Sequence, residues 1–228
     1  MKDKLQTLFY WLNVKTWVQV IIWLTVRKDF QGLEKVPRRG PLIMTANHFN
    51  MADPPVLTAV MPRRIVWMAK RELFDIPVIG WLYHLFGLIP VRRFEADLSA
   101  LRKAQQALKR GHMLGMFPEG TRSGGRGLKE GEPGTAVIAL RSGAPILPVG
   151  IWGTEKVKLP RDLFRRTSIS IRVGEPYYLA ATRRPSKEQV AEATEEIMRR
   201  IAALLPERYR GVYASHVAEA RTPVESEA

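Results

Sequence analysis

The chain has 228 residues, 46% hydrophobic and 25% charged, a length and balance that fit one domain with a core of its own. It has no cysteine, which excludes disulfides, thiolate metal sites and a cysteine nucleophile. Its formal net charge of +14 draws it to polyanions: nucleic acid, anionic lipid or an acidic carrier protein.

Leu5 to Val26 is apolar and aromatic and carries Trp11, Trp17 and Trp23. At ~1.5 Å per residue it is long enough to cross a bilayer. Lys15 sits in its middle, however, near Gln6, Asn13 and Gln19, and a central lysine costs roughly 2.5–3.5 kcal/mol in a membrane. The segment therefore reads as one bent helix or two short ones lying in the interface. The tryptophans then sit at headgroup depth and Lys15 faces anionic lipid. An ordinary helix packed on the domain is the alternative. No small-x-small site follows the apolar run, which argues against a signal peptide.

Asp29 to Val36 reads as a short strand, and Pro37-Arg38-Arg39-Gly40-Pro41 as a turn. Leu42 to Ala46 is a short apolar run that suits a buried strand. Asp53 before Pro54 opens a helix to Val60. Arg64 to Ala69 is another buried strand, Pro77 to Phe86 an apolar helix ended by Gly87, and Leu88 to Val91 a strand. Asp97 caps an amphipathic helix to Arg110, stopped by Gly111. Met113 to Phe117 is a strand that runs into Pro118-Glu119-Gly120-Thr121-Arg122-Ser123. A helix from Gly134 to Ser142 and strands at Ile146 to Trp152 and Ser168 to Val173 follow. Ser186 with Gln189 forms a capping box for a long last helix, which Pro206 stops. The predicted units are residues 1–28, an interfacial helical segment; 29–205, the folded domain; and 206–228, a polar tail of poor order. The alternation of strands and helices predicts a single α/β domain with a mostly parallel central sheet flanked by helices.

Where an apolar strand ends in His48 and a helix begins at Asp53, the loop is short enough for the carboxylate to hold the imidazole. That is a base and its orienter, the unit that takes a proton from a hydroxyl. The plainer reading makes Asp53 a helix cap and His48 a loop residue bonded to backbone. In open α/β sheets ligands lie beyond the carboxyl ends of the strands. His48, Arg92, Glu119 and Arg122 each follow a predicted strand, so all should open on one edge. His84, His112 and His216 have no such setting. There is no metal-binding pattern, no P-loop and no dinucleotide fingerprint.

Four stretches carry a resemblance: Asn47-His48-x-x-x-x-Asp53-Pro54, Gly87-x-Ile89-x-Val91-Arg92, Phe117-Pro118-Glu119-Gly120-Thr121-Arg122-Ser123 and Ala144-Pro145-Ile146-Leu147-Pro148-Val149-Gly150. In order and spacing they resemble the blocks of the glycerolipid acyltransferases, nearest the branch that acylates 1-acylglycerol-3-phosphate (lysophosphatidate). The resemblance covers about Val36 to Gly174. It implies transfer of an acyl group from a thioester, of acyl carrier protein or coenzyme A, to the free hydroxyl of lysophosphatidate, giving phosphatidate. His48 is then the general base and Asp53 its orienter, in a triad whose serine is replaced by the substrate hydroxyl. Arg92 and Arg122 grip the acceptor phosphate, with Lys129 as a further candidate. Glu119 binds a glycerol hydroxyl or positions an arginine, and the backbone amides of Glu119 and Gly120 are the oxyanion donors.

On this reading the chain needs no cofactor beyond its thioester co-substrate and no metal. Its partners are anionic membrane lipids and the carrier of the acyl group, not nucleic acid. It works as a peripheral or monotopic protein on the cytoplasmic face of the cell membrane. The competing classes are the same chemistry on another lysophospholipid or glycolipid, and a basic membrane- or nucleic-acid-binding module without activity. Against a nucleic-acid module, the basic residues are scattered and carry no binding motif.

Overall fold

Leu42 to Ala46 is buried at every position, which requires cover on both faces of the strand and marks it as the centre of a parallel sheet. The computed structural model describes residues 10, 12, 16, 19–92, 97–157 and 166–215, with backbone only at Ile21 and Trp23. Helix α1 (Gln19–Thr25) leads into β1 (Val26–Gln31). Then come β2 (Leu42–Ala46), α2 (Asp53–Val60), β3 (Ile65–Lys70), α3 (Pro77–Phe86), β4 (Ile89–Val91), α4 (Leu98–Lys109) and β5 (Met113–Met116). The chain continues through α5 (Gly134–Ser142), β6 (Ile146–Trp152), β7 (Thr167–Val173) and α6 (Lys187–Leu204).

The seven strands form one sheet in the order β1-β7-β6-β2-β5-β3-β4. β2 pairs in parallel with β5 and β6, β3 with β5 and β4, and β1 with β7; the β6–β7 pairing is antiparallel. The sheet is thus mostly parallel and flanked by helices, as the alternation predicts. The carboxyl ends of β2 to β6 share one edge, and β1 and β7 start there because they run the other way.

Successive residues of each strand face opposite cores, following the pleat. Ile43, Val66, Leu114 and Ile146 pack under α4, α5 and α6. Leu42, Met44, Met113 and Leu147 pack with Ile22 of α1 and Val56, Leu57 and Ala59 of α2. Phe86 at the end of α3 and Leu88 join this second core. Arg64 ties the layer together: it donates to the Phe86 carbonyl at 3.0 Å and lies 6.0 Å from the centre of the Tyr10 ring.

Two expectations are corrected. The first strand is Val26–Gln31, not Asp29 to Val36. It stops at Gly32, whose φ of 81° no β-branched or bulky residue adopts readily and where a Cβ would lie 2.3 Å from the Val173 carbonyl oxygen. The segment after residue 205 is not a polar tail at its start. Glu207–Tyr209 and Gly211–Tyr213 form two 3-10 turns, and Tyr209 and Tyr213 are buried in the core. The capping box at Ser186 and Gln189 is present. Trp11, Lys15 and Trp17 lie outside the described residues, as do the side chain of Trp23, Arg93, His216 and the rest of the chain end. Tyr10 and Ile22, from the same segment, are buried against the domain.

Gly115 in β5 pairs with Trp67 in β3. A Cβ at Gly115 would meet the Trp67 ring at 2.6 Å and Ile65 Cγ2 at 2.5 Å. Gly115→Ala therefore overpacks the sheet and should lower stability by about 1–3 kcal/mol, read as a shifted denaturant midpoint with a changed tryptophan emission. An unchanged midpoint and spectrum would contradict this packing.

Candidate active site

β2 ends at Ala46 and the chain turns at once. Asn47 is fully buried and uses both ends of its amide: Nδ2 donates to the Ile151 carbonyl at 2.6 Å, and Oδ1 accepts from the Ile151 N–H at 2.8 Å. It continues the sheet by one rung through a side chain, and so fixes where His48 leaves the strand.

Asp53 occupies the first turn of α2, but it does not cap that helix; Ala52 is the N-cap residue and no side chain bonds there. The carboxylate turns back onto the loop instead. Its Oδ2 accepts from the Phe49 N–H at 2.7 Å, from the Asn50 N–H at 2.7 Å and lies 2.9 Å from His48 Nδ1. An ionised carboxylate only accepts, so Nδ1 carries the proton and Nε2 is left with its lone pair. Asp53 is completely buried, and the imidazole keeps 10% of its surface open. Asn50 steadies the same turn by accepting from the Ala52 N–H at 3.0 Å.

The loop after β5 closes on this pair. Glu119 Oε1 accepts from the His48 N–H at 2.7 Å, and Oε2 accepts from the Lys129 N–H at 3.1 Å. The Ser123 N–H donates to the His48 carbonyl at 2.9 Å. Both backbone groups of His48 are therefore tied to the neighbouring loop. Phe117 stacks on the imidazole with ring centres 4.1 Å apart, and Trp67 stacks on the other face of Phe117 at 4.9 Å. The Trp67 Nε1–H donates to Thr58 Oγ1 at 2.8 Å, which anchors the column on α2.

The remaining predicted residues fall into place unevenly. Glu119 was expected to bind a glycerol hydroxyl or position an arginine; both of its oxygens hold backbone amides instead. Gly120 has a φ of 66° and its N–H donates to the Phe117 carbonyl at 3.0 Å, so that amide is already engaged and not open to an oxyanion. Lys129 Nζ donates to the Arg122 carbonyl at 2.9 Å and to Thr121 Oγ1 at 3.2 Å. Arg122 itself is exposed. The first 3-10 turns after α6 clamp this loop from behind: the Leu128 N–H donates to the Tyr209 carbonyl and the Gly131 N–H to the Tyr213 hydroxyl. Arg92 leaves β4 on the same edge, three strands from β2, or about 14 Å across the sheet. Its N–H donates to Asp97 Oδ2 at 3.0 Å, while Asp97 Oδ1 caps α4 at the Ala100 N–H.

Asn47, Phe117 and Trp67 are the functional neighbours that sequence reasoning left unassigned. An amide side chain directly after a fully buried strand was the available signal for Asn47, because a buried amide must be bonded. Nothing local marks Phe117 and Trp67 as a stack. No group of three or more potential metal ligands occurs among the described residues.

Comparison with known proteins follows the same residues. A family model described as "Acyltransferase" matches residues 27–152, which include His48, Asp53, Arg92, Glu119, Arg122 and Lys129. A chloroplastic 1-acyl-sn-glycerol-3-phosphate acyltransferase of Brassica napus is 30% identical over 68% of this chain and 46% of its own length. The chain thus spans about half the length of the first curated relatives it matches. A 1-acyl-sn-glycerol-3-phosphate acyltransferase of Bacillus subtilis is 31% identical over 82% of this chain and 92% of its own. The crystal structure of the 1-acyl-sn-glycerophosphate acyltransferase from Thermotoga maritima superposes with a TM-score of 0.67 at 25% identity, covering 97% of this chain and 83% of that one.

Burial raises the Glu119 carboxyl from 4.5 to about 7, against the amides of His48 and Lys129 and the charge of Lys129, which favour ionisation. The folded state then holds a proton that the unfolded state has released. Stability should fall as pH rises from 4.5 to about 7, by about 3 kcal/mol, and stay level above. Denaturation across this range should show that loss in the wild type and not in Glu119→Gln. An equal pH dependence in both proteins would mean that Glu119 is ionised throughout.

Proposed function

The chain belongs to the acyltransferase family, and from that premise we propose that it transfers an acyl group from a thioester to the free hydroxyl of lysophosphatidate. The observation that carries the reading is the His48 Nδ1 to Asp53 Oδ2 contact of 2.9 Å at the carboxyl edge of the sheet. Relatives along the length of the chain bear the corresponding names.

His48 Nε2 takes the proton of the acceptor hydroxyl as its oxygen attacks the thioester carbonyl. The imidazolium so formed donates through Nδ1–H to Asp53, which stabilises the charge and keeps the ring in place. The tetrahedral intermediate collapses with loss of thiolate, and Nε2–H returns the proton to the leaving sulfur. The products are phosphatidate and a free thiol, and no serine or metal takes part. The backbone N–H of Glu119 is the oxyanion donor in this scheme, Gly120 being engaged. Arg122 and Arg92 take the acceptor phosphate, which a guanidinium matches in a fork. Lys129 supports the Arg122 loop and adds positive charge beside it.

The donor is acyl carrier protein or coenzyme A thioester, and the acceptor is drawn from anionic membrane. A peripheral or monotopic position on the cytoplasmic face fits these substrates. Among the described residues no helix is long and apolar enough to cross a membrane.

Purified protein given lysophosphatidate and an acyl thioester should release free thiol, measured against both donors and against other lysolipids. His48→Ala should lower kcat by about 10²–10⁴-fold with an unchanged thermal midpoint. A normal rate in His48→Ala would place the base elsewhere. Turnover only with a different lysolipid would keep the chemistry and replace the acceptor.

A further inference from the structure

Helix α3 has the sequence Pro-Val-Ile-Gly-Trp-Leu-Tyr-His-Leu-Phe, with no lysine, arginine, aspartate or glutamate. Gly80 is the single residue of it that is fully buried. A Cβ at Gly80 would fall 2.0 Å from the Phe74 carbonyl oxygen, so the helix is pressed by this side onto the preceding turn. Val78, Trp81, Leu82 and Leu85 stand at i, i+3, i+4 and i+7 and form one apolar stripe. Val78 is 69% exposed and Trp81 61%. A helix apolar on its outer face normally has cover.

The exposed apolar residues are not spread evenly. Among the described residues, eight of the eleven large apolar side chains that are exposed belong to α1, α3 and the segments just before α1, α2 and α3. Five of them, Val20, Leu24, Val78, Ile79 and Trp81, lie in α1 and α3 themselves, whereas α4, α5 and α6 contribute Leu98 alone. The topology brings Leu24, Met51 and Ile76 to the edge that holds His48. Leu24 precedes β1, which starts there; Met51 follows β2 and Ile76 follows β3, which end there.

Charge frames this apolar ground. Arg27 and Lys28 follow α1, and Arg92, Arg122, Lys129 and Lys156 are exposed on the loops of the same edge. Beside α3 the acidic Glu72 is paired with Lys70 at 3.2 Å, and Asp75 is a second exposed acid within a rim otherwise made of lysine and arginine. An apolar centre with a tryptophan and a cationic rim is the complement of an anionic bilayer surface.

We infer that α3 is a membrane contact of the folded domain itself, entering the headgroup region of an anionic bilayer through Val78 and Trp81 beside the segment that precedes β1. This rests on the reading of the acceptor as a membrane lipid, because it sets the opening at His48 against the surface from which that lipid comes. Two separate contacts, at α1 and α3, fix the tilt of the sheet edge as well as its distance from the bilayer.

The test is sedimentation of the full chain with vesicles of phosphatidylcholine containing phosphatidylglycerol. The double variant Val78→Ser/Trp81→Ser should bind at least tenfold more weakly. Leu98→Ser, the loss of an exposed apolar side chain on the opposite layer, should bind as the wild type does, and Trp81→Leu should retain most of the affinity. Both altered positions of the double variant are exposed, and an unchanged thermal midpoint confirms its fold. Undiminished vesicle binding by the double variant overturns the inference, as does absence of binding by the wild type. So does loss of turnover with an acyl carrier protein donor alone, or loss of a dimer in ultracentrifugation, with vesicle binding intact: the face would then serve a protein. Vesicle binding is read without turnover, so a chain that binds through α3 but does not acylate lysophosphatidate refutes only the acceptor.

Discussion

One carboxylate oxygen, Asp53 Oδ2, organises the site. It receives two backbone amides and the imidazole, and the Asp53 side chain is completely buried. Burying a charge is unfavourable unless it is paired and bonded, and here the bonding partners are the loop that bears the histidine. The same three contacts that stabilise the carboxylate therefore set the path of residues 48–50 and the orientation of the ring. The geometry of the imidazole and that of the loop are one constraint.

The device recurs along the edge. Glu119 holds the amides of His48 and Lys129, and Asp97 holds the amide of Arg92 while capping α4. Three acids thus fix the backbone from which the candidate base and phosphate-binding cations project. None needs to reach substrate to matter. The parallel pairing of β2, β5, β3 and β4 supplies the rest, because it sends all these loops out of one side of the sheet. Two layers of helix then divide the work. Among the described residues the layer of α4 to α6 exposes Leu98 as its one large apolar side chain, whereas α1 and α3 expose Val20, Leu24, Val78, Ile79 and Trp81.

Local signals in the chain carried much of this. The apolar run before His48, the Asp-Pro helix start and the glycine stops fall where the elements begin and end. The convergence of His48, Glu119 and Arg92 on one edge followed from strand alternation alone. What the sequence concealed depends on distant partners. Glu119 looks like a substrate ligand until the amides of residues 48 and 129 are seen to fill both of its oxygens. Asp53 looks like a helix cap because position and residue type suit one, yet its carboxylate is drawn to the loop on the other side. The column of His48, Phe117 and Trp67 joins three strands, and its space is provided by Gly115, a residue with no side chain to read. Tyr209 and Tyr213 were hidden in a polar stretch because two rings among charges give no run and no period, although both enter the core.

The central claim is that Asp53 keeps the proton of the neutral imidazole on Nδ1, leaving Nε2 to act as base. Nitrogen NMR of His48 in the full labelled chain reads this directly. The account predicts a protonated Nδ1 and an unprotonated Nε2 in the neutral ring, with the tautomer redistributed in Asp53→Asn, whose amide can donate to Nδ1. A neutral His48 protonated on Nε2, or a spectrum indifferent to Asp53→Asn, would contradict it.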